Sequence, residues 1–466
     1  MTRHIFICFI FIALLPVLSS AQKQTNYLET ELPETWHQDS IFHPNYSIDI
    51  EWWNSFNDST LDSLINASLV NNYSLSAAYS TLQKAKASYR QVQSGFYPSL
   101  SLYAQYINEK NSLNTYSETA SSVNRDINYL SGTIDGQWEI DIFGSIRKNV
   151  KTLKKQYYAT EANYRNTMLT LCAEVATAYF NLRSCQQQYL VAQQNIESEK
   201  NILDITTARY EAGLATQLDV SQAKSVYYST LASLPEINAA ITQYINNIAV
   251  LVGTYPSEIT AQLSVIQDLP QAARIIGIGI PANTIRQRPD VQQAELTVEA
   301  YAAALGASRA DYYPKFNING SFGYLSHDTE NFFDDESMMY TFNPTLSWTL
   351  FSGLEVRQAV NASKFQLQES INQYNEVVIN AVQEVESVMS QYSNALKTIA
   401  ADQQVIIQGQ KTLELSVDLY KRGLGSFTDV LDAQRSLLSY QNSLVSAENA
   451  ALIYLVELYQ ALGGGF

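Results

Sequence analysis

The sequence predicts an α+β membrane protein in which an internally duplicated chain forms long coiled-coil helices and short membrane strands. Three observations support this fold class: a set of motifs occurs twice in the same order, apolar residues recur about every 3.5 residues over long stretches, and four short segments alternate strictly between apolar and polar residues. The chain of 466 residues also exceeds the usual size of one domain. Gly (18) and Pro (11) are scarce for this length, which favours long helices over an all-β fold.

The charge balance argues against nucleic acid as a partner. The chain has 29 Lys+Arg against 45 Asp+Glu, which gives a formal net charge of -16. A surface of this sign repels phosphate backbones, so we expect no nucleic-acid binding.

The first 21 residues are typical of a secretory signal peptide. Arg3 begins a basic start, residues 5–15 are apolar, and small residues precede an expected cleavage near Ala21. The apolar run is too short for a membrane-spanning helix and is followed by Pro16. We therefore expect an exported protein.

Internal duplication is the strongest organisational signal. Residues 210–225 (YEAGLATQLDVSQAKS) align without gaps on residues 420–435 (YKRGLGSFTDVLDAQR). Upstream of each copy the same order recurs, with FYPSLSL matching YYPKFNI and Trp138 matching Trp348. The chain is therefore one unit written twice.

Each unit contains one very long helix and shorter helices. The long helices are predicted at 146–212 and 355–422, which corresponds to about 100 Å each. Short helices predicted at 58–95 and 216–252 are about half as long, so two of them stacked end to end match one long helix. Alternating steps of four and three mark a coiled-coil seam in both long helices, which includes Val175, Leu182, Val385 and Tyr392.

Four predicted strands, 97–107, 129–141, 315–325 and 339–350, have one apolar and one polar face. Ile134, Trp138, Phe322 and Trp348 belong to the apolar face, whereas Thr133 belongs to the polar face. A soluble sheet resting on a core would show the same alternation. The aromatic residues near the strand ends and the export signal favour strands that face lipid.

Four strands cannot close a barrel, and open strand edges are not tolerated in lipid. Two copies of the chain would supply 8 strands around a filled interior, whereas three copies would supply 12 around a water-filled one. Several chains would thus form a duct continued by helices. A periplasmic coiled-coil structural or adhesive protein is the alternative, although it would not need two-faced strands.

Several motifs resemble those of the TolC-like outer-membrane efflux proteins, in the branch that serves resistance-nodulation-division pumps. They are EWWNSFNDSTLDSLINASLVNNYSL, IPANTIRQRPDVQQAE, ASRADYYPKFNINGSFGY, the two Gly-turn motifs and the tail VELYQALGGGF. The resemblance implies a homotrimer with a 12-strand barrel in outer-membrane lipid, a 12-helix tunnel in the periplasm and an equatorial belt. It also implies a periplasmic adaptor and an inner-membrane pump as partners, and drugs, toxic compounds or metal ions as cargo. A duct for secreted proteins is the alternative within this class.

The signal and the duplication divide the chain into five parts: a signal peptide (1–21), an N-terminal segment (22–57), the first repeat (58–262), a linker (263–283) and the second repeat with the C-terminal tail (284–466). The resemblance assigns the N-terminal segment, the linker and the C-terminus to the equatorial belt. Many members of the branch are lipoproteins, but no cysteine follows the expected cleavage site here. We therefore do not expect a lipid anchor.

Catalysis is not expected, and neither is a cofactor or a metal site. The few histidines are widely spaced and belong to no catalytic or zinc-binding motif. Cys172 and Cys185 lie on one predicted helix, about 20 Å apart, too far for a disulfide. Cys185 lies in the coiled-coil seam and is predicted to be a packing residue.

The two Gly turns carry the candidate functional residues. Gly213 and Gly423 follow the long helices, where a helix end needs a left-handed residue, and Thr216 and Ser426 are predicted N-caps. Asp219 is predicted to support the first turn. The exposed tips of the rod, with Gly213, Leu214, Gly423 and Leu424, are predicted to dock the adaptor.

By resemblance, Asp429 and Asp432 match acidic residues that project into a narrow aperture, and Tyr420 matches a tyrosine that helps to hold the closed state. The two aspartates are three residues apart and so lie on one helical face. Some members carry an arginine at the position of Gly425, so the closing network must differ here. Arg209 and Arg422 are possible substitutes.

Overall fold

The computed structural model describes residues 27, 31–36, 41–43, 51–110, 112, 126–271 and 276–464. The predicted signal peptide and Phe466 lie outside these residues. The helices are α1 (Ser59–Asn71), α2 (Tyr73–Gln93), α3 (Ser145–Glu211), α4 (Gln217–Val252), α5 (Pro256–Leu263), α6 (Pro281–Gln287), α7 (Pro289–Ala310), α8 (Glu355–Lys421) and α9 (Phe427–Ala461). The strands are β1 (Phe42–His43), β2 (Ser99–Lys110), β3 (Asp126–Ile140), β4 (Ile276–Gly277), β5 (Lys315–Ser326) and β6 (Met338–Ser347). Of the helices in this described part, none is both long and apolar enough to cross a bilayer.

The two long helices, α3 and α8, each contain 67 residues, and their ends lie within one residue of the predicted ones. The coiled-coil pattern explains their length, because the seam residues Val175, Leu182, Val385 and Tyr392 are all fully buried. Each long helix runs antiparallel to the short helix that follows it, so the Gly turns lie at one end of the molecule.

Short helices meet end to end beside α3 and α8. Gly253, which ends α4, lies against the backbone of Asn71, and the side-chain amide of Asn72 donates to the Leu251 carbonyl over 2.8 Å. In the second repeat, Arg288 donates to the Ala461 carbonyl over 2.6 Å. Each junction therefore joins two short helices end to end alongside the long helices.

The single helix predicted at 58–95 is wrong, because the structure has two helices there. Asn72 has an extended backbone (φ -66°, ψ 124°), and its side chain accepts a hydrogen bond from the Leu75 N–H, 2.9 Å away. Asn72 therefore caps a new helix instead of continuing the first one. Asp58 lies before α1 as its N-cap.

One antiparallel sheet has the strand order β2-β3-β5-β6. Cross-strand pairing aligns one apolar row across all four strands, formed by Leu102, Ile134, Phe322 and Tyr340. The neighbouring row is polar and consists of Ser101, Asp135, Ser321 and Thr341. The register therefore confirms the two predicted faces.

The last strand is shorter than predicted: β6 ends at Ser347 and not at residue 350. Ser347 pairs with Lys315, the first residue of β5, which follows Pro314, so later residues have no strand to pair with. Trp348 lies beyond the strand, and its indole N–H donates to the Tyr312 carbonyl over 3.1 Å. The hairpin of β2 and β3 deviates by the same amount in the other direction, because β2 ends at Lys110 and not at residue 107, and β3 begins at Asp126 and not at residue 129.

Two hydrophobic clusters hold the helices together. The larger one lies near the helix junctions, where Trp52 stacks on Tyr459 with ring centroids 5.2 Å apart. Beside it, β1 pairs with β4, which joins the segment before α1 to the linker between the repeats. The smaller one, the tip cluster, joins all four helices near the turns and includes Ile202, Val226, Tyr420 and Val430.

Candidate functional site: the two Gly turns

The first Gly turn closes with two backbone hydrogen bonds. Gly213 has φ +74°, and its N–H donates to the Tyr210 carbonyl over 2.9 Å. The N–H of Leu214 reaches back to the Arg209 carbonyl over 2.8 Å. This is a Schellman turn, in which a left-handed residue satisfies the free carbonyls at a helix end.

The second turn repeats this geometry. Gly423 also has φ +74°, its N–H donates to the Tyr420 carbonyl over 3.0 Å, and the Leu424 N–H donates to the Leu419 carbonyl over 2.9 Å. The leucines after the two glycines are 66% and 75% exposed. Each tip therefore presents an apolar side chain to its surroundings.

Both return helices begin with a capping box. Thr216 and Asp219 exchange hydrogen bonds between side chain and backbone at the start of α4, over 2.9 and 3.2 Å. Ser426 and Asp429 do the same at the start of α9, over 3.1 and 3.3 Å. The prediction that Thr216 and Ser426 are N-caps is confirmed. Only Asp219 was predicted to support a turn, but Asp429 has the same capping geometry at the other turn.

Tyr420 is buried inside the tip cluster. Its ring lies between Phe427, with centroids 5.3 Å apart, and the guanidinium of Arg209, 4.7 Å from the ring centroid. The side chain is 5% exposed, and its hydroxyl has no hydrogen-bonding partner within the described part of the chain.

Arg209, from the first repeat, holds the end of the second long helix. Its guanidinium donates to the Lys421 carbonyl over 2.7 Å, which neutralises part of the negative end of the α8 dipole. Arg422, the other possible substitute, pairs with Asp418 one turn back on its own helix. Of the two arginines, Arg209 therefore links the repeats.

Asp429 and Asp432 border one groove between α8 and α9. The groove has a volume of about 650 Å³, and its other lining residues are mostly polar: Gln404, Val405, Gln408, Gly409, Thr412, Ser416, Ala433, Ser436 and Tyr440. Both aspartates are exposed, so two carboxylates border the same space. The structure brings these residues together, whereas Tyr420 lies in the core and Asp219 lies at the other turn.

A buried carboxylate that sequence analysis missed lies above the tip. Glu199 of α3 is 2% exposed, and one of its oxygens accepts a hydrogen bond from the Thr230 hydroxyl of α4, 2.9 Å away. Burial raises the pKa of Glu199 to about 7, although the bond from Thr230 opposes this shift. The 3.5-residue pattern could have predicted this burial, because Glu199 follows the seam position Ile196 by three residues and therefore continues the seam.

The cysteines predicted to lack a functional role are packing residues. Cys172 is fully buried, and burial raises the pKa of its thiol to about 12. Cys185 is half-buried, and burial raises its pKa as well. Both are therefore protonated and poorly reactive at neutral pH.

Comparison with known proteins identifies the family. The model of the outer membrane efflux protein family matches residues 64–254 and 280–464. The chain belongs to this family. The membership confirms the predicted resemblance and the predicted function in efflux across the outer membrane. The two matched segments of this outer membrane efflux protein also separate at the linker between the repeats.

Curated relatives cover nearly the whole chain. A probable efflux pump outer membrane protein of Pseudomonas putida, TtgC, is 27% identical over 444 residues, which cover 94% of this chain and 91% of TtgC. The cation efflux system protein CusC of Escherichia coli (strain K12) is 27% identical over 89% of this chain and 88% of CusC. The structure of the outer-membrane channel OprN has a TM-score of 0.88 at 25% identity, over 95% of this chain and 98% of OprN. The fold is that of an outer-membrane channel.

Proposed function

We propose that this chain forms the outer-membrane exit duct of a tripartite efflux pump and passively conducts small molecules out of the periplasm. The observation that carries the proposal is the position of a two-faced sheet at one end of helices about 100 Å long, with two exposed turns at the other end. CusC is named for cation efflux, which supports metal ions as cargo, and drugs and toxic compounds are the other cargo classes of this proposal.

The duct is a homotrimer in this proposal. Within the described residues, β2 and β6 are each paired on one side only, so the sheet needs other strands at both edges. Three copies of four strands make a 12-strand barrel, which is wide enough for water. The row with Asp135 and Ser321 would line the lumen, and the row with Ile134 and Phe322 would face outer-membrane lipid.

The two Gly turns form the inner end of the duct and dock the periplasmic adaptor. The exposed side chains of Leu214 and Leu424, held by the tight turns at Gly213 and Gly423, supply apolar contacts. The adaptor then connects the duct to an inner-membrane resistance-nodulation-division pump, which supplies the energy. Tyr420 and Arg209 hold the two turns together in the closed state.

Asp429 and Asp432 form acidic rings at the aperture in this proposal. Threefold symmetry would bring three copies of each carboxylate towards one axis, where like charges repel and attract cations. The shared groove supports this role, because both side chains border the same face of α9.

A pair of arginine substitutions tests the orientation of the sheet. Ile134→Arg should weaken membrane assembly by about 2 to 4 kcal/mol, because it places a charge in lipid, whereas Thr133→Arg on the opposite face should be tolerated. The amount of trimer in outer-membrane fractions measures the effect. Normal assembly of Ile134→Arg together with failure of Thr133→Arg would show that the faces are reversed.

Single-channel conductance in planar bilayers tests the aperture. Asp432→Ala and the double variant Asp429→Ala/Asp432→Ala should conduct more than the native chain and lose its response to millimolar divalent cations. Asp219→Ala is the matched control, since it removes an equivalent cap from the other turn. Native conductance and cation response in the double variant would place the gate elsewhere.

A further inference from the structure

The loop between β5 and β6 (residues 327–337) lies at the end of the sheet that is remote from the helices. The chain enters β5 from α7 and leaves β6 towards α8, so this loop joins the two far ends of the strands. Its sequence, HDTENFFDDES, places Phe332 and Phe333 among five carboxylates.

Phe332 and Phe333 fold onto the apolar face of the sheet. Both rings contact Tyr324, with centroid distances of 5.9 and 5.5 Å, and the two rings are 4.9 Å apart. Tyr324 pairs with Gly132 across the strands, and a Cβ at Gly132 would come within 3.2 Å of the Phe332 ring. Gly132 therefore leaves the space that the Phe332 ring fills, and the loop covers part of the apolar face of the sheet.

Hydrogen bonds hold the loop in this conformation. The Asn331 carbonyl accepts hydrogen bonds from the Asp334 N–H over 3.1 Å and from the Ser337 hydroxyl over 2.7 Å. At the base of the loop, the His327 ring is hydrogen-bonded to the Asn128 carbonyl of β3. The loop is therefore closed on itself and tied to the neighbouring strand.

The folded loop extends an exposed apolar surface. Phe333 remains 78% exposed despite its aromatic contacts, and Met338 and Tyr340 continue the same face along β6. The contact with Gly132 and Tyr324 lies on the two central strands, away from the sheet edges at which another copy of the chain would pair. An aromatic surface at the rim of a membrane sheet matches the lipid–water interface, where aromatic residues are enriched.

The acidic residues set the depth of the loop. Asp328 and Glu330 precede the two phenylalanines, and Asp334, Asp335 and Glu336 follow them. Carboxylates are costly in the hydrocarbon core, so the loop must stop at the level of the headgroups. Only the aromatic rings can reach the first part of the acyl chains.

We propose that the loop of residues 327–337 is an aromatic membrane anchor, in which Phe332 packs on the sheet and Phe333 inserts among the outer-leaflet lipids, so that the loop stays away from the channel mouth. The proposal rests on the proposed function, because it needs the apolar face of the sheet to contact lipid. The molecules that cover the exposed aromatic surface of the loop are lipids, at the level where their acyl chains meet the headgroups.

Fluorescence of Phe333→Trp tests the anchor in the full-length protein, reconstituted in phosphatidylcholine vesicles with or without bromine on the upper acyl chain. Phe333 is largely exposed, so tryptophan there preserves the fold. The emission added by the new residue should fall about twofold in brominated vesicles, because the indole lies at the interface. Glu330→Trp, on the exposed part of the same loop, is the control, and aqueous iodide should quench it in preference to brominated lipid.

Native tryptophans separate the failure of the anchor from the failure of the proposed function. Trp138 lies on the apolar face of the sheet and Trp348 is exposed just beyond the end of β6, whereas Trp36, Trp52 and Trp53 are buried. If brominated lipid quenches the native protein but not the emission added by Phe333→Trp, the anchor is wrong and the sheet still lies in lipid. If it quenches neither, the position of the sheet is wrong as well. Quenching of Phe333→Trp by iodide alone would show that the loop extends into water.

Discussion

Tyr210 and Tyr420 occupy the same place in the two repeats, one turn before a glycine with φ +74°. Tyr210 is 42% exposed, whereas Tyr420 is 5% exposed. The backbone is the same at both turns, so neighbouring side chains make the difference. Arg209 and Phe427 enclose Tyr420. Local sequence therefore builds the turn, and contacts between the repeats decide which tyrosine is buried.

The repeats differ again above the turns. The alignment of Tyr210 with Tyr420 places each counterpart 210 positions later, so Glu199 corresponds to Gly409 and Thr230 to Tyr440. In the first repeat this pair is a buried hydrogen bond between a carboxylate and a hydroxyl. In the second repeat the glycine allows the Tyr440 ring to approach, beside the groove with the two aspartates. The first repeat therefore has a titratable carboxylate in its interior, whereas the second repeat has an open groove at the same level.

The largest expected effect concerns Glu199. Its pKa is about 7 in the folded chain against 4.5 ordinarily, so the unfolded chain ionises first as the pH rises, and the free energy of unfolding falls between about pH 4.5 and 7. Glu199→Gln should remove this decline and be about 3 kcal/mol more stable than the native chain at pH 8, with little difference at pH 4.5. Thermal unfolding in detergent, followed by circular dichroism at both pH values, measures it.

Glu197→Gln is the matched control, because Glu197 is exposed on the same helix. It should keep the native decline with pH. If the stability of Glu199→Gln still declined with pH as in the native chain, ionisation of the buried carboxylate would not be the cause of the decline.

Removing the contact of Arg209 with the second turn should have the next largest effect on the free energy of unfolding. Arg209→Ala removes a charged hydrogen bond and a cation–π contact and should cost about 2 kcal/mol. Arg422→Ala, which breaks an exposed pair within α8, should cost less than about 0.5 kcal/mol. Chemical denaturation of both variants measures the loss in free energy of unfolding. Equal losses would contradict the inference that Arg209 joins the two turns.

Replacing Gly409 and Tyr440 by their first-repeat counterparts tests why the repeats differ above the turns. Gly409→Glu should cost about 1.5 kcal/mol, because a Cβ would come within 3.2 Å of the Tyr440 ring and 3.4 Å of Leu437. Adding Tyr440→Thr recreates the first-repeat pair and should recover part of this loss. A double-mutant cycle measures the coupling, and additive losses would show that the two positions do not interact.

The smallest effect should be the same in both repeats. Gly213→Ala and Gly423→Ala each place a side chain at φ +74° and should each cost about 1 kcal/mol. Among the described residues, no atom lies within 4 Å of the added Cβ at Gly213, and the nearest at Gly423 belongs to Arg209, 3.8 Å away. Thermal unfolding of the two variants should agree closely. A much larger loss at Gly423 would show that the turns are not equivalent.

Much of the fold could be predicted because its signals are local. The 3.5-residue pattern specifies the long helices, and the alternation in the strands specifies which face is apolar. The predicted end of β6 was wrong because a strand ends where its partner strand ends. The partner, β5, begins after Pro314, which lies far from the end of β6 in the sequence. The break at Asn72 was missed because its polar side chain could cap a helix or lie on its surface equally well.

By itself the sequence determined the family, the two Gly turns with their caps and the proximity of Asp429 and Asp432, since each depends on residues a few positions apart. Only the tertiary structure decided that Tyr420 is buried, that Arg209 crosses to the other repeat and that Phe332 rests on Gly132. These contacts join residues far apart in the chain. Their energies depend on burial and on distances between elements, which spacing along the sequence does not encode.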